Sequence, residues 1–429
     1  MFLQPDTRPR PASNWIASHK KSVVQAVVLL LVLFGLSFIG PEASPVQYPE
    51  LEELSHLRGD FASYASYFQK LAKEKGAVYT FEVLKRASLA PNTDLHLLGH
   101  VVGDELYKQK GIDGIKNCTN DFRNACSHSI VVGALLERGE GALRDIAGAC
   151  RLAPGGKGAY TMCFHGLGHG ILAYFQYELP ETIKFCDRVG TKEYREREYI
   201  ECVGGTIMEL VEGRFWHDPL AWARAAPKYF KADDPLYPCD AEFMPPRVKP
   251  QCYTYLTPHL FEFAGADMGH PTPQNFEEAF RFCDAIPRKD KENRARCFGG
   301  FGKEFVVLAQ NRDIRKIEDM TNEQLGIVAE WCGLAHDARG ISECDRDALQ
   351  SLYWGGENNP DASLRFCNVL KDASRQKSCF TELTGAVLFY IDNKDYSATL
   401  CDKYPYVYKN DCRTRLLGNF NPYETFLYR

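Results

Sequence analysis

Apolar residues are arranged along the chain in two distinct ways. Ser22 to Ile39 (SVVQAVVLLLVLFGLSFI) is an uncharged run of eighteen residues. At about 1.5 Å rise per residue such a run just spans a hydrocarbon core of roughly 30 Å. Arg8, Arg10, Lys20 and Lys21 precede it, so the positive-inside rule puts residues 1–21 in the cytoplasm and the remainder outside. The alternative is a cleaved signal peptide. Its best cleavage point, after Ala43, carries Pro41 where a small residue is wanted, which favours an uncleaved anchor at 22–39. Residues 40–60, with Pro41, Pro45 and Pro49 among polar residues, read as a tether.

From Phe61 onward the period changes to that of amphipathic helices, as in FASYASYFQKLAKEKGAVYTFEVLKRA. Residues 61–429 are therefore expected to form an extracytoplasmic, all-α repeat domain. The repeat is carried by sixteen cysteines: Cys118, Cys126, Cys150, Cys163, Cys186, Cys202, Cys239, Cys252, Cys283, Cys297, Cys332, Cys344, Cys367, Cys379, Cys401 and Cys412. Gaps of 7 to 15 residues alternate with gaps of 21 to 36, without a break. The first cysteine of a pair ends a short helical segment (ETIKFC, FEEAFRFC, ASLRFC), and the second opens a Gly-rich longer one (CFHGLGHGILAYF, CVGGTIMELVEG, CFGGFGKEFVVLAQ). A unit every 33 to 50 residues is the period of a helical-hairpin array. The fold expectation is a solenoid, or a closed α/α toroid, of about eight disulfide-stapled hairpins. Bridges across the short gaps, such as Cys283–Cys297 and Cys367–Cys379, use all sixteen cysteines. Bridges across the long gaps leave Cys118 and Cys412 over, so the short-gap scheme is preferred. A closed loop of this size contributes roughly 2–3 kcal/mol in the chain-entropy account. Glycines repeated at the start of the long helices cost helix propensity and point to backbones in close approach.

Sixteen cysteines in bridges imply an oxidising compartment: periplasm, lumen or cell exterior. With 45% hydrophobic and 25% charged residues and a net charge of −5, the chain is globular in composition. The mild acidity argues against a nucleic-acid partner. No CxxC, CxxCH, HExxH or Gly-x-Ser-x-Gly string occurs. The sole glycosylation sequon, Asn117-Cys118-Thr119, contains a cysteine expected to be bridged.

Candidate chemistry resides in the eleven histidines. Counting from the second cysteine of each unit, with Asp94 in that place in the first long helix, His96, His128 and His165 share offset +2. His100 and His169 share offset +6. These offsets lie about 40° apart on one helical face, well away from the cysteine. Helices packed at about 8–10 Å would gather all five imidazoles. Histidines at i and i+4 grip first-row metals, so copper, zinc or iron is the cofactor class. Glu105 and Glu137 at offset +11 are taken as further candidate ligands, and Glu209, His259 and Glu304 occupy offset +7, with Glu212 and Glu262 beyond. A repeated histidine can equally be a packing residue that bonds a carbonyl in each unit. That packing reading comes first, and the confinement of these histidines to the first three units keeps a site in play beside it. No nucleophile–base constellation names a reaction, so the expected function is a membrane-tethered protein binding a peptide, glycan or protein partner on a concave face, with a metal-dependent enzyme using the histidine patch as the alternative.

Overall fold

The computed structural model describes residues 47–213, 218–267, 271–314, 317, 319–355, 360–390 and 394–418. The proposed anchor at 22–39 lies outside them. Among the described residues there is no strand, only helix, turn and one isolated bridge between Lys231 and Asp234. None of these helices is long and apolar enough to cross a membrane.

Helix ends follow local chemistry. Asp60 and Asp94 accept backbone N–H bonds three residues on. Thr272 with Asn275 and Thr321 with Gln324 form reciprocal capping boxes, which satisfy donors that a helix start leaves orphaned. The expected tether departs from this picture at its end. Glu50–His56 is helical, and the Glu50 carboxylate bonds Lys75 and Tyr79. The prolines stop at 49, so nothing in residues 50–56 breaks a helix.

Eight helices carry the histidines and their counterparts: α1 (Leu95–Lys110), α2 (Asp121–Arg138), α3 (Gly156–Tyr174), α4 (Arg197–Glu212), α5 (Lys249–Tyr255), α6 (Lys291–Ala309), α7 (Ala338–Gly355) and α8 (Ala373–Tyr390). Short helices such as Leu179–Asp187, Pro273–Ala285 and Asn322–Cys332 lie between them.

All sixteen cysteines pair across the short gaps, as the alternation of gaps predicts. In chain order the bridges are Cys118–Cys126, Cys150–Cys163, Cys186–Cys202 and Cys239–Cys252, then Cys283–Cys297, Cys332–Cys344, Cys367–Cys379 and Cys401–Cys412. Their Cα–Cα separations are 5.4 to 5.7 Å, which a disulfide spans without moving the backbone. Most bridges tie the end of a short helix to the first part of the next one, as Cys150, Cys186, Cys283, Cys332, Cys367 and Cys401 do. Cys118 and Cys239 are exceptions, since neither ends an α-helix. Every bridge is buried.

Each of the eight helices packs on the next, and α7 also touches α2 while α8 touches α3. Residues remote in sequence therefore meet: Asn92 N–H donates to the Asn311 carbonyl at 3.0 Å. The closest approaches need glycine. A Cβ on Gly205 would stand 1.8 Å from the His165 carbonyl oxygen, and one on Gly166 would stand 2.5 Å from the His128 Cα. The glycines thus bring α2, α3 and α4 together at the histidines.

Candidate metal centre and cavity

The five histidines converge. Ring centroids are 4.7 Å apart for His96–His100, 5.5 Å for His100–His128, 5.6 Å for His128–His165 and 5.0 Å for His165–His169. His128 is central, since it also lies 5.8 Å from His96 and 5.9 Å from His169. All but His96 are almost fully buried.

Hydrogen bonds assign the tautomers that matter. His96 Nδ1 lies 2.6 Å from the Phe122 carbonyl oxygen, which can only accept. Its proton is therefore on Nδ1, and Nε2 presents a lone pair. Ser129 Oγ donates to the His100 carbonyl at 2.9 Å, so it accepts from His100 Nδ1 at 3.1 Å. His100 Nε2 also presents a lone pair. These two Nε2 atoms stand 3.3 Å apart. In these tautomers neither ring can donate to the other.

Charging one ring would supply a proton, but burial opposes it. Desolvation pushes His96 down to about 4, overriding the opposite pull of Asp94 and the Phe122 carbonyl. Desolvation and the neighbouring imidazoles drive His128 well below its ordinary value. The spacing suits a cation: two nitrogens about 2.0–2.1 Å from one tetrahedral ion stand roughly 3.3–3.4 Å apart. The ligand atoms of His96, His100 and His128 all lie within 4.8 Å of one another. Neither His128 nitrogen makes a hydrogen bond of ordinary geometry, and the Met162 carbonyl favours its protonated form only weakly. His96, His100 and His128 could thus hold a metal ion, with Phe122 and Ser129 orienting the first two rings from behind.

Phe122, Arg123 and Asn124 have φ of 54°, 54° and 66°. Three consecutive non-glycine residues in the left-handed region cost of order 1–2 kcal/mol each. This turn presents the Phe122 carbonyl to His96 and sends Arg123 towards Ser351.

The histidine wall borders a cavity of about 190 Å³ lined by side chains from α1 through α7. His96, His128 and His165 are on its surface, with Tyr255 against His165 at a ring separation of 4.8 Å. Five basic residues (Arg123, Arg197, Arg296, Lys303 and Arg312) and five acidic ones (Asp94, Glu201, Glu212, Glu304 and Asp347) complete the polar wall. No cysteine is part of it, so the bridges serve the frame and not the site, as their helical phase implies. Burial raises Glu212 to about 8, with Glu304 adding to the effect. Burial would also raise Glu201 and Glu304, but Arg197 with His165, and Lys303, more than offset this.

Compared with protein-family models, curated proteins and solved structures, the chain has no match in any of the three. Functional assignment therefore rests on the site itself.

Two expected ligands are not part of the centre. Glu105 is buried against Lys108, and Glu137 accepts from Tyr107. Neither is in the group of facing ligand atoms or in the cavity wall. At 100° per residue, offset +11 lies about 140–180° from the histidines, so these acids fall on another face of their helices. His165 and His169 join the cluster but not the three-nitrogen group. Their Nδ1 atoms face Glu201 at 3.7 Å and Glu209 at 3.3 Å. His259 packs on Phe230 instead. Sequence reasoning missed Arg123, Arg296, Lys303, Asp347, Gln350 and Ser351. Their signal was available for the later helices, since offsets −1, +2 or +3, and +6 or +7 recur in the cavity wall.

Proposed function

We propose that this chain is a membrane-anchored, extracytoplasmic metalloenzyme. Its centre is a copper, zinc or iron ion on His96, His100 and His128, acting on a small molecule held in the adjoining cavity. The observation that carries the reading is the pair of Nε2 atoms 3.3 Å apart, with both Nδ1 atoms already committed to acceptors. Three protein nitrogens leave a fourth position for water or a substrate atom, the arrangement of a catalytic rather than a structural site. Glu212, uncharged below about pH 8, is a protonated acid in the same cavity and suits proton transfer.

Eight disulfides support an oxidising compartment, and the apolar run at 22–39 supports the anchor. We read the helical array as a superhelical stack, supported by the contacts of α7 with α2 and α8 with α3. The partner-binding alternative, with a peptide, glycan or protein on a concave face, is less favoured. A cavity of about 190 Å³ suits a small molecule rather than a chain.

The test is metal titration of the full chain after chelation and dialysis. One ion per chain, lost in His96→Ala with His100→Ala, is the expected result. No retained ion, with native helicity and intact disulfides, sinks the proposal.

A further inference from the structure

Two donors in the cavity wall find no acceptor in the protein. Arg123 Nε and Gln350 Nε2 are both shielded from solvent and unbonded, and both residues line the cavity. Arg123 Nη2 donates to Ser351 Oγ at 2.7 Å, which brings the guanidinium to α7 one residue along the chain from Gln350. Other cations of the wall are matched. Arg197 pairs with Glu201 at 2.6 Å, Lys303 with Glu304 at 2.6 Å, and Arg296 faces Asp347 at 3.6 Å. Arg123 has no ion pair among the described residues, and desolvation lowers its pKa despite the more distant charges of Glu304 and Glu212. Arg123 is half-buried, and a guanidinium drawn out of water is costly without a counter-ion. Here it is delivered on a left-handed turn, itself an unfavourable backbone. Two such costs at one side chain mark a residue placed for a ligand.

The donor set indicates which ligand. One guanidinium N–H and one amide N–H match the two oxygens of a carboxylate. A phosphate dianion has more acceptors than these donors serve, and Asp94, Glu201, Glu304 and Asp347 in the same wall would repel its second charge. With Glu212 uncharged at neutral pH, basic groups slightly outweigh acidic ones, which suits a single negative charge.

We infer that the cavity binds a small organic monocarboxylate, its carboxylate held by Arg123 and Gln350 and its remaining atoms in the space bounded by His96, His128 and His165. The inference rests on the cavity being a ligand site, as in the function proposed above, but not on the metal.

Acetate and benzoate are the probes, titrated into the full chain in metal-free and zinc-loaded form and followed by ligand-observed NMR and calorimetry. Saturable binding is expected for at least one of them. Arg123→Gln should weaken it roughly tenfold or more, and Gln350→Ala by a smaller factor, as expected for a charge-assisted and a neutral hydrogen bond. Arg123→Lys, which keeps the charge but not the fork, should fall between. Inorganic phosphate should compete poorly. Carboxylate binding retained by His96→Ala with His100→Ala supports this site even where the metal reading fails. No saturable binding, affinity unchanged in both Arg123→Gln and Gln350→Ala, or phosphate outcompeting the carboxylates would overturn the inference. Should Arg123→Gln not fold, Gln350→Ala and Arg123→Lys decide the matter.

Discussion

Helices α1–α3 and helices α6–α7 share a register but not a chemistry. Counted from the cysteine, or from Asp94 in α1, offset +2 holds His96, His128 and His165 in the first group, and Gly299 and Arg346 in the second. Offset +6 holds His100 and His169 against Lys303 and Gln350. α1 has no staple, but elsewhere the staple and the glycine contacts are the same in both. Cys150–Cys163 leads into α3 as Cys283–Cys297 leads into α6, and Gly302 meets the Cys344 carbonyl much as Gly168 meets that of Cys202. The two walls are stabilised differently. On the later one, charges are answered by charges, as in Arg296 facing Asp347 at 3.6 Å and Lys303–Glu304 at 2.6 Å. On the earlier one, neutral imidazoles face each other with lone pairs. The difference teaches that the repeat provides a frame with one inward stripe per helix. Chemistry is written on that stripe without altering the frame.

The sharpest break in this comparison is removal of the histidine chemistry alone. His96→Ala with His100→Ala should reduce metal affinity by more than the roughly 10–100-fold that outer-shell changes cost. All eight bridges should persist, as read by metal analysis and non-reducing peptide mapping. Breaking the shared frame should be costly to stability. Gly205→Ala, driven against the His165 carbonyl, should lose about 3 kcal/mol by overpacking, measured by urea denaturation. Ser129→Ala removes the acceptor that orients His100 and should weaken metal binding roughly 10-fold or more, with little change in helicity.

A pH series probes the cavity between the two walls. Glu212 has its folded pKa raised above its ordinary 4.5, to about 8. The stability this group contributes is complete below about 4.5 and is lost as pH rises through about 8. The urea midpoint of the metal-free chain should therefore fall over that window, and Glu212→Gln should flatten the fall. Glu212 keeps part of its surface open, so the slope should be modest. The smallest effect is expected outside the stripe: Glu105→Gln and Glu137→Gln should leave metal affinity unchanged in calorimetric titration.

Much of this frame was legible because alternation of cysteine gaps is a one-dimensional signal. It announced the helices and selected the short-gap pairing, from Cys118–Cys126 through to Cys401–Cys412. Histidine offsets were legible for the same reason, and they gathered His96, His100, His128, His165 and His169. The acids at +11 failed on helical phase, since a shared offset does not imply a shared face. Arg123 was hidden for a different reason. It sits three residues before Cys126 in a left-handed turn, and no periodicity predicts where such a side chain points. Gln350 and Ser351 were hidden because their closeness to α2 depends on α7 returning to it, a contact over a long stretch of chain that local pattern cannot carry.

The most direct test of the central claim is X-ray absorption spectroscopy on the full chain loaded with one equivalent of zinc. The account predicts about four nitrogen or oxygen neighbours near 2.0–2.1 Å, with outer-shell scattering from three imidazoles that drops to one in His96→Ala with His100→Ala. Sulfur neighbours, or a zinc environment unchanged by that double substitution, would contradict it.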